Sequence, residues 1–272
     1  MAKKNIRVAV LGAYGRMGRS VVAAVSAEKD MEVAGAVDVA GVGEDVGTVA
    51  GVGARGVLIR SSLWGKLRAE PPGVIPDVIV DFTTAEGFWD RASEALASGV
   101  RLVVGTTGID GKTLKRVEKL AEKKKLGVLV APNFAIGAVL MMEFAAKAAA
   151  YMPDAEIIEF HHNRKLDAPS GTAMATAERI ARARLGKKTA ADPTKIVKLE
   201  GARGGNLGGV PVHSVRLEGF LACQEVIMGG PGQTLTIRHD TISRESFMPG
   251  VILAVRKVMK LNKMVYGLEK VI

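Results

Sequence analysis

The residues richest in chemistry lie in one short stretch, Glu159-Phe160-His161-His162-Asn163-Arg164-Lys165-Leu166-Asp167-Ala168-Pro169-Ser170-Gly171-Thr172-Ala173. It holds half of the chain's four histidines, with a lysine a few residues on. An imidazole donates or accepts a proton near neutral pH, and an ammonium donates one. His161 and Lys165 are therefore candidate acid–base groups. Pro169-Ser170-Gly171-Thr172 then runs into an alanine-rich segment, the pattern of a helix start with a hydroxyl cap and a glycine that admits a ligand. Backbone N–H groups at such an end bind carboxylates or phosphates. Gly171 and Thr172 thus form a candidate anion cradle, flanked by Arg164 and Lys165. Asp167 either orients Lys165 or shapes the turn. Glu159 either orients a histidine or is merely the outward residue of its strand. A metal role for His161 and His162 is disfavoured, because adjacent side chains on a strand point to opposite faces and no cysteine lies nearby. No metal site is expected.

A second pattern sits near the N-terminus. Gly12-Ala13-Tyr14-Gly15-Arg16-Met17-Gly18 follows the apolar run Ile6–Leu11 and opens a helical pattern. Its G-x-x-G-x-x-G spacing is a variant of the dinucleotide fingerprint, in which glycines let the backbone approach a pyrophosphate at a helix N-terminus. The next strand pattern ends in Asp38, at the spacing where an acid binds the adenine ribose. Val39 follows it. A cation there would favour the extra phosphate of NADP, and valine cannot, so NADH is the favoured cofactor. Arg16 can still reach such a phosphate, which leaves NADPH open. Gly105-Thr106-Thr107 and Ala131-Pro132-Asn133-Phe134 fall at the ends of further apolar runs, where open α/β sheets bind ligands.

These loops need a scaffold, and the hydrophobic periodicity supplies one. Apolar runs at Ile6–Leu11, Glu32–Val37, Val78–Asp81, Leu102–Val104 and Val128–Val130 alternate with helical patterns at Met17–Glu28, Glu86–Ser98 and Lys112–Lys125. That alternation predicts an α/β fold with a Rossmann-like parallel sheet covered on both faces. After Pro132 the pattern changes. A long apolar helix over Ile136–Tyr151, a strand over Ala155–His162 and a helix over Thr172–Arg184 precede extended runs at Val210–Leu217, Gln224–Met228 and Thr234–His239. A mixed or antiparallel sheet in an α+β domain is expected there. Residues 203–209, with four glycines, read as a mobile or ligand-covering loop. Val251–Met259 reads as a final buried helix. The expected organisation is a dinucleotide-binding domain over 1–132, a substrate and oligomerisation domain over 133–240, and a C-terminal segment over 241–272 that returns to the first domain.

Composition narrows the function classes. The chain has 272 residues, 48% hydrophobic and 24% charged, with a formal net charge of +10. Much of that charge lies on Lys112–Lys125, where Leu114, Val117 and Leu120 recur at helical spacing, so the lysines face water. The field attracts anionic cofactors and substrates. Only 4% of residues are aromatic, with no basic stripe interleaved with stacking groups, so no nucleic-acid partner is expected. The single cysteine, Cys223, excludes an internal disulfide and fits a reducing cytoplasm; a small buried hydrophobe is its expected role. Residues 1–5 show no apolar leader. The uncharged run Leu126–Met142 is broken by Pro132-Asn133, so no membrane span is expected.

Taken together, these residues resemble the dihydrodipicolinate reductase (4-hydroxy-tetrahydrodipicolinate reductase) family over essentially the full length. The resemblance is carried by Val10–Gly18, Val80–Thr83, Val104–Gly108, Ala131–Phe134, Glu159–Ala173, His213–Arg216 and the run 229–247. It implies a two-domain homotetramer, assembled through the substrate-domain sheets. It implies reduction of a cyclic imine dicarboxylate by NADH or NADPH in the lysine and diaminopimelate pathway. By that resemblance His161 is the acid/base histidine, Lys165 the proton donor, and His162 with Gly171 and Thr172 the substrate-carboxylate site. Gly12, Ala13, Tyr14, Gly15, Arg16, Met17, Asp38, Gly105, Thr106, Thr107, Ala131, Pro132, Asn133 and Phe134 correspond to cofactor contacts. Three positions depart from the family pattern: Val39 stands where many members carry arginine, Tyr14 where a small residue is expected, and Cys223 where a histidine is expected.

Overall fold

The computed structural model describes residues 5–62, 75–184, 186 and 192–272. Residues 1–4 of the N-terminal segment lie outside that set. The chain divides into two compact units, Met1–Phe134 with Arg244–Ile272, and Ala135–Ser243.

In the first unit, short apolar runs form a seven-stranded parallel sheet. The chain-order elements are β1 (Ile6–Leu11), α1 (Arg16–Ala27), β2 (Met31–Val37), α2 (Val46–Val49), β3 (Ile59–Arg60), β4 (Val78–Asp81), α3 (Phe88–Ala97), β5 (Arg101–Val104), α4 (Gly111–Lys124) and β6 (Val128–Val130). The sheet order is β12-β6-β5-β4-β1-β2-β3, every pairing parallel, where β12 (Met264–Tyr266) comes from the end of the chain. Ala9, Leu11, Ile79, Leu102 and Val104 pack with Phe88, Leu96 and Val117 of α3 and α4. Val8, Val10, Val78, Val80 and Val103 alternate with them and are equally buried, so both faces are covered. This is the Rossmann-like α/β sheet that the sequence predicts. On α4, Val117 and Ala121 are buried and the lysines are exposed. Its N-terminus is capped by Asp110, which accepts from Lys112 N and Thr113 N.

The C-terminal segment completes this unit. Helix α7 (Met248–Val258) packs against α1, and β12 adds to the sheet edge beside β6. Gly250 of α7 passes so close to the β6 loop that a Cβ there would lie 2.0 Å from Phe134 O. Strands β3 and β12 and the single turn of α2 were not evident in the sequence, because they fall outside the alternation of apolar runs with helical patterns.

The second unit contains α5 (Ile136–Ala149), β7 (Asp154–His161), α6 (Gly171–Ala183), β8 (Gly205–Leu207), β9 (Val210–Arg216), β10 (Ala222–Gly230) and β11 (Gln233–Thr241). Its sheet has the order β11-β10-β7-β9-β8 and is mixed: β7 and β9 are parallel and the other neighbours antiparallel. Helices α5 and α6 pack on it, and Ile157, Val226 and Met228 are fully buried. The glycine-rich residues 203–209, expected as a covering loop, instead form strand β8 and a tight turn into β9. Gly208 and Gly209 both have positive φ (60° and 79°), the combination that a two-residue hairpin turn of type I′ demands. Gly208 and Gly209 serve that turn, while Gly205 starts β8.

Gly250→Ala tests the close passage of α7. Backbone atoms cannot retreat as a flexible side chain can, so the variant is expected to lose roughly 1–3 kcal/mol or more. The readout is the denaturant midpoint; an unchanged midpoint contradicts the packing.

Candidate functional site

In the first unit the predicted nucleotide residues converge at the carboxyl ends of the parallel strands. Gly12 to Met17 follow β1, Asp38 follows β2, Gly105 to Thr107 follow β5 and Ala131 to Phe134 follow β6. Gly12 has φ +78° and a Cβ on it would lie 2.8 Å from Phe82 O; a Cβ on Gly18 would lie 2.0 Å from Gly12 O. Loop, helix and neighbouring strand therefore meet at backbone distance, as a phosphate-binding turn requires. The amides of Gly12 and Ala13 turn inward to Val37 O, and Gly15 N donates to Gly12 O. The start of α1 lacks a side-chain cap bond at Gly15, and the first amides of a helix have no intrahelical acceptor. Arg16 and Met17 carry two of them, so the residues present fit a pyrophosphate.

Asp38 accepts from Tyr14 N through Oδ2 (2.9 Å) and from Ala40 N through Oδ1 (3.1 Å). The carboxylate ties the glycine loop to the β2 end and keeps lone pairs for a ribose hydroxyl. The bulky Tyr14 ring leans on Gly41, with the Arg19 guanidinium 4.5 Å from its centroid. Val39 is 94% exposed and Arg16 is also exposed.

Sequence reasoning gave Asp81 no role, yet it organises this site. It is 1% exposed and accepts from Thr83 N, Thr83 Oγ1, Arg91 Nε and Thr106 Oγ1. Arg91 also donates to Thr84 O and Glu86 O. The Thr106 hydroxyl is thus directed at Asp81, while Thr107 is exposed. Gly105 N donates to Asp81 O, and the Phe82 and Phe134 rings pack at 5.6 Å. An acid closing an otherwise apolar strand was the signal available.

The second unit holds the candidate acid–base residues. Glu159 is fully buried on β7, facing inward, which removes the reading of it as an outward strand residue. Its Oε2 lies 2.5 Å from His161 Nδ1 and 2.9 Å from Arg216 Nη1. Its Oε1 accepts from Arg216 Nη2 at 2.7 Å and from Ser170 N at 3.2 Å. Burial pushes the Glu159 carboxyl up, but hydrogen bonds from His161, Arg216 and Ser214 outweigh it and bring the group down to about 2. Arg216 Nη2 also donates to Asp167 O, which pins the loop between β7 and α6. On that loop Lys165 Nζ donates to Asp167 Oδ1 at 2.7 Å, and this bond holds the Asp167 carboxyl below its usual range. The Ala168–Pro169 peptide is cis.

Ser170 caps α6 through Oγ, accepting from Ala173 N. Gly171 and Thr172 open the helix, and a Cβ on Gly171 would meet nothing within 4 Å. His162 is half-buried at the end of β7. His161, His162, Lys165, Gly171 and Thr172 are therefore gathered in one unit, and the nucleotide residues in the other. Of the remaining histidines, His213 pairs with Glu156 at 2.9 Å and His239 packs on Gly137. Cys223 is buried, and burial together with a bond to Asp240 pushes its thiol up to about 11, as expected of an inert side chain. Among the described residues no group of three or more His, Cys, Asp or Glu is arranged to hold a metal. None of their helices is long and apolar enough to cross a membrane.

The family model described as dihydrodipicolinate reductase, N-terminus, matches residues 6–134, and its C-terminus counterpart matches residues 137–272. The chain belongs to the dihydrodipicolinate reductase family. It is 49% identical over 268 residues to the 4-hydroxy-tetrahydrodipicolinate reductase of Moorella thermoacetica, covering 98% of both chains. It is 50% identical to that of Geobacillus kaustophilus, covering 98% of this chain and 99% of that one. A dihydrodipicolinate reductase from Paenisporosarcina sp. TG-14, solved with dipicolinate bound, aligns with a TM-score of 0.86 at 44% identity, covering 98% of this chain and 100% of that one. An amine dehydrogenase from Mycobacterium smegmatis, at 15% identity and TM-score 0.64 with 96% and 95% covered, shares the fold.

For this member of the reductase family, the buried carboxylate carries an acid-stability signature. A carboxyl held below its unfolded value stabilises the fold fully above about pH 4.5, and that contribution is lost as pH falls toward 2. Its size is roughly 3 kcal/mol. Denaturant melts of wild type and Glu159→Gln between pH 6 and 3 should show the wild type losing more stability on acidification. Parallel losses in the two proteins contradict it.

Proposed function

We propose that this chain reduces 4-hydroxy-2,3,4,5-tetrahydrodipicolinate to tetrahydrodipicolinate with loss of water, using NADH or NADPH, in lysine and diaminopimelate biosynthesis. The observation that carries the reading is the segment from the end of β7 to the start of α6: an imidazole on a buried carboxylate, a lysine and a helix start at Gly171 lie close together in a chain of this family. That one relative was solved with dipicolinate, itself a ring dicarboxylate, supports the substrate class.

In this reading one substrate carboxylate docks on the amides of Gly171 and Thr172, helped by His162. A bound reduced nicotinamide supplies the hydride. Lys165 donates a proton as the ring hydroxyl departs as water, and His161 handles the remaining proton transfer. Overall a hydride and a proton enter the substrate and one water leaves. Gly12 to Met17 hold the pyrophosphate, Asp38 the adenine ribose, and Gly105 to Thr107 with Ala131 to Phe134 the nicotinamide side. NADH is favoured because Val39 supplies no cation for a 2′-phosphate, while Arg16 at the helix start leaves NADPH usable. Assembly is as a homotetramer through the second unit's sheet, whose half-buried Ile158, Phe160 and Ile227 alternate with its buried core. The enzyme works in the cytoplasm, where a lone buried thiol stays reduced.

Initial rates with NADH and NADPH, with the substrate generated in situ by its synthase, test the reading. Faster turnover with NADH supports both function and cofactor preference; faster turnover with NADPH overturns the preference and points to Arg16. No turnover with either, despite nucleotide binding, overturns the function. His161→Ala and Lys165→Ala are each expected to lower kcat roughly 100-fold or more while nucleotide affinity is kept. Wild-type turnover in both rejects the assigned roles.

A further inference from the structure

The two Glu159 oxygens serve five donors: His161, both Arg216 nitrogens, the Ser170 amide and the Ser214 hydroxyl. The surroundings are defined on every side. β9 contributes Ser214 and Arg216, which lie beside Glu159 and His161 in register. β10 contributes Gln224 and Ala222 at the same two levels, and Gln224 Nε2 is turned to Thr176 of α6. The helix start contributes Ser170, and the loop contributes Asp167 through its carbonyl to Arg216.

We infer that Glu159, clamped by Arg216, is the positioning residue of the acid–base site, fixing His161 with its hydrogen on Nδ1 so that Nε2 is the atom that exchanges a proton with the substrate. The inference rests on the reduction proposed above. An ionised carboxylate is acceptor-only, and a neutral imidazole carries a single N–H. A 2.5 Å contact between Oε2 and Nδ1 therefore puts that hydrogen on Nδ1 and leaves Nε2 as the acceptor. The same carboxylate reaches the helix start through Ser170 N, and Arg216 reaches the Lys165-bearing loop through Asp167 O. One buried charge thus sets the tautomer of the histidine and its register against the anion cradle and the lysine. This is the role a second hydrogen-bond partner plays for a catalytic imidazole elsewhere.

Glu159→Gln is a sharp probe because it is nearly isosteric yet offers one acceptor and one NH2. Ser170 N and Arg216 Nη2 both donate to the Oε1 position and claim the acceptor there. The NH2 then faces two donors, Arg216 Nη1 and His161 Nδ1, and the imidazole relieves its own clash by moving its hydrogen to Nε2. In 15N-histidine spectra, recorded where the ring is neutral and assigned with His161→Gln, wild-type His161 should carry its hydrogen on Nδ1 and Glu159→Gln on Nε2. With the tautomer inverted, kcat should fall about 100-fold, with KM for the dicarboxylate changed only a few-fold, and Glu159→Asp should recover part of kcat by restoring the charge. A merely structural role lowers the denaturant midpoint but does not move the proton.

Wild-type His161 protonated on Nε2 overturns the inference, and so does a Glu159→Gln enzyme with wild-type kcat. If Glu159→Gln does not fold, the wild-type spectrum decides: hydrogen on Nδ1 supports the inference, and hydrogen on Nε2 overturns it. A wild-type protein that shows the expected tautomer but reduces no imine dicarboxylate sinks the proposed reaction and leaves the positioning of His161 standing.

Discussion

A buried carboxylate is the constraint around which the second unit is built. Removing such an ion from solvent costs several kcal/mol even after relaxation, and only good geometry with every lone pair engaged offsets it. Glu159 meets that requirement with a two-pronged Arg216 contact, a backbone amide, a hydroxyl and an imidazole. Satisfying the charge forces four pieces of chain into fixed relation: β7, β9, the start of α6 and the loop between β7 and α6. Those pieces carry His161, Lys165 and the helix start at Gly171. These three features are held in place because the charge must be satisfied.

The first unit solves a parallel problem at the ends of its strands. Asp81, buried at the close of β4, gathers Thr83, Arg91 and Thr106, and Arg91 in turn holds Thr84 O and Glu86 O. One acid thereby shapes the loops after β4 and β5. Beside it, the close approaches of Gly12, Gly18 and Gly250 bring loop, α1 and α7 to backbone distance. In both units, then, a buried carboxylate gathers the loops at the ends of the strands. The two halves suit an anionic cofactor and an anionic substrate by the same physics.

What the sequence made legible was local. The G-x-x-G-x-x-G loop follows its strand and opens its helix within a few residues, so its place could be read directly. The Ser170 cap and the start of α6 were readable for the same reason. Apolar runs of three to six residues revealed β1, β2, β4, β5 and β6, because a sheet buried on both faces needs them. What stayed hidden was long-range. Arg216 lies 57 residues from Glu159, and Thr106 lies 25 from Asp81, and no spacing rule joins such pairs. The alternatives at Glu159 could be separated only when the pleat direction of β7 was known. Residues 203–209 misled because a glycine-rich loop and a type I′ hairpin share a composition. The family resemblance supplied the functional assignments that the pattern alone left open, and the full-length family match agrees with it.

The central claim is that this chain moves a hydride from a nicotinamide to a cyclic imine dicarboxylate. The most direct measurement supplies nucleotide dideuterated at nicotinamide C4, generates the 4-hydroxy-tetrahydrodipicolinate substrate in situ, and weighs the product. The account predicts tetrahydrodipicolinate carrying one deuterium per molecule, formed only when both chain and nucleotide are present. Product without deuterium, or deuterated nucleotide consumed with the dicarboxylate unreduced, contradicts it.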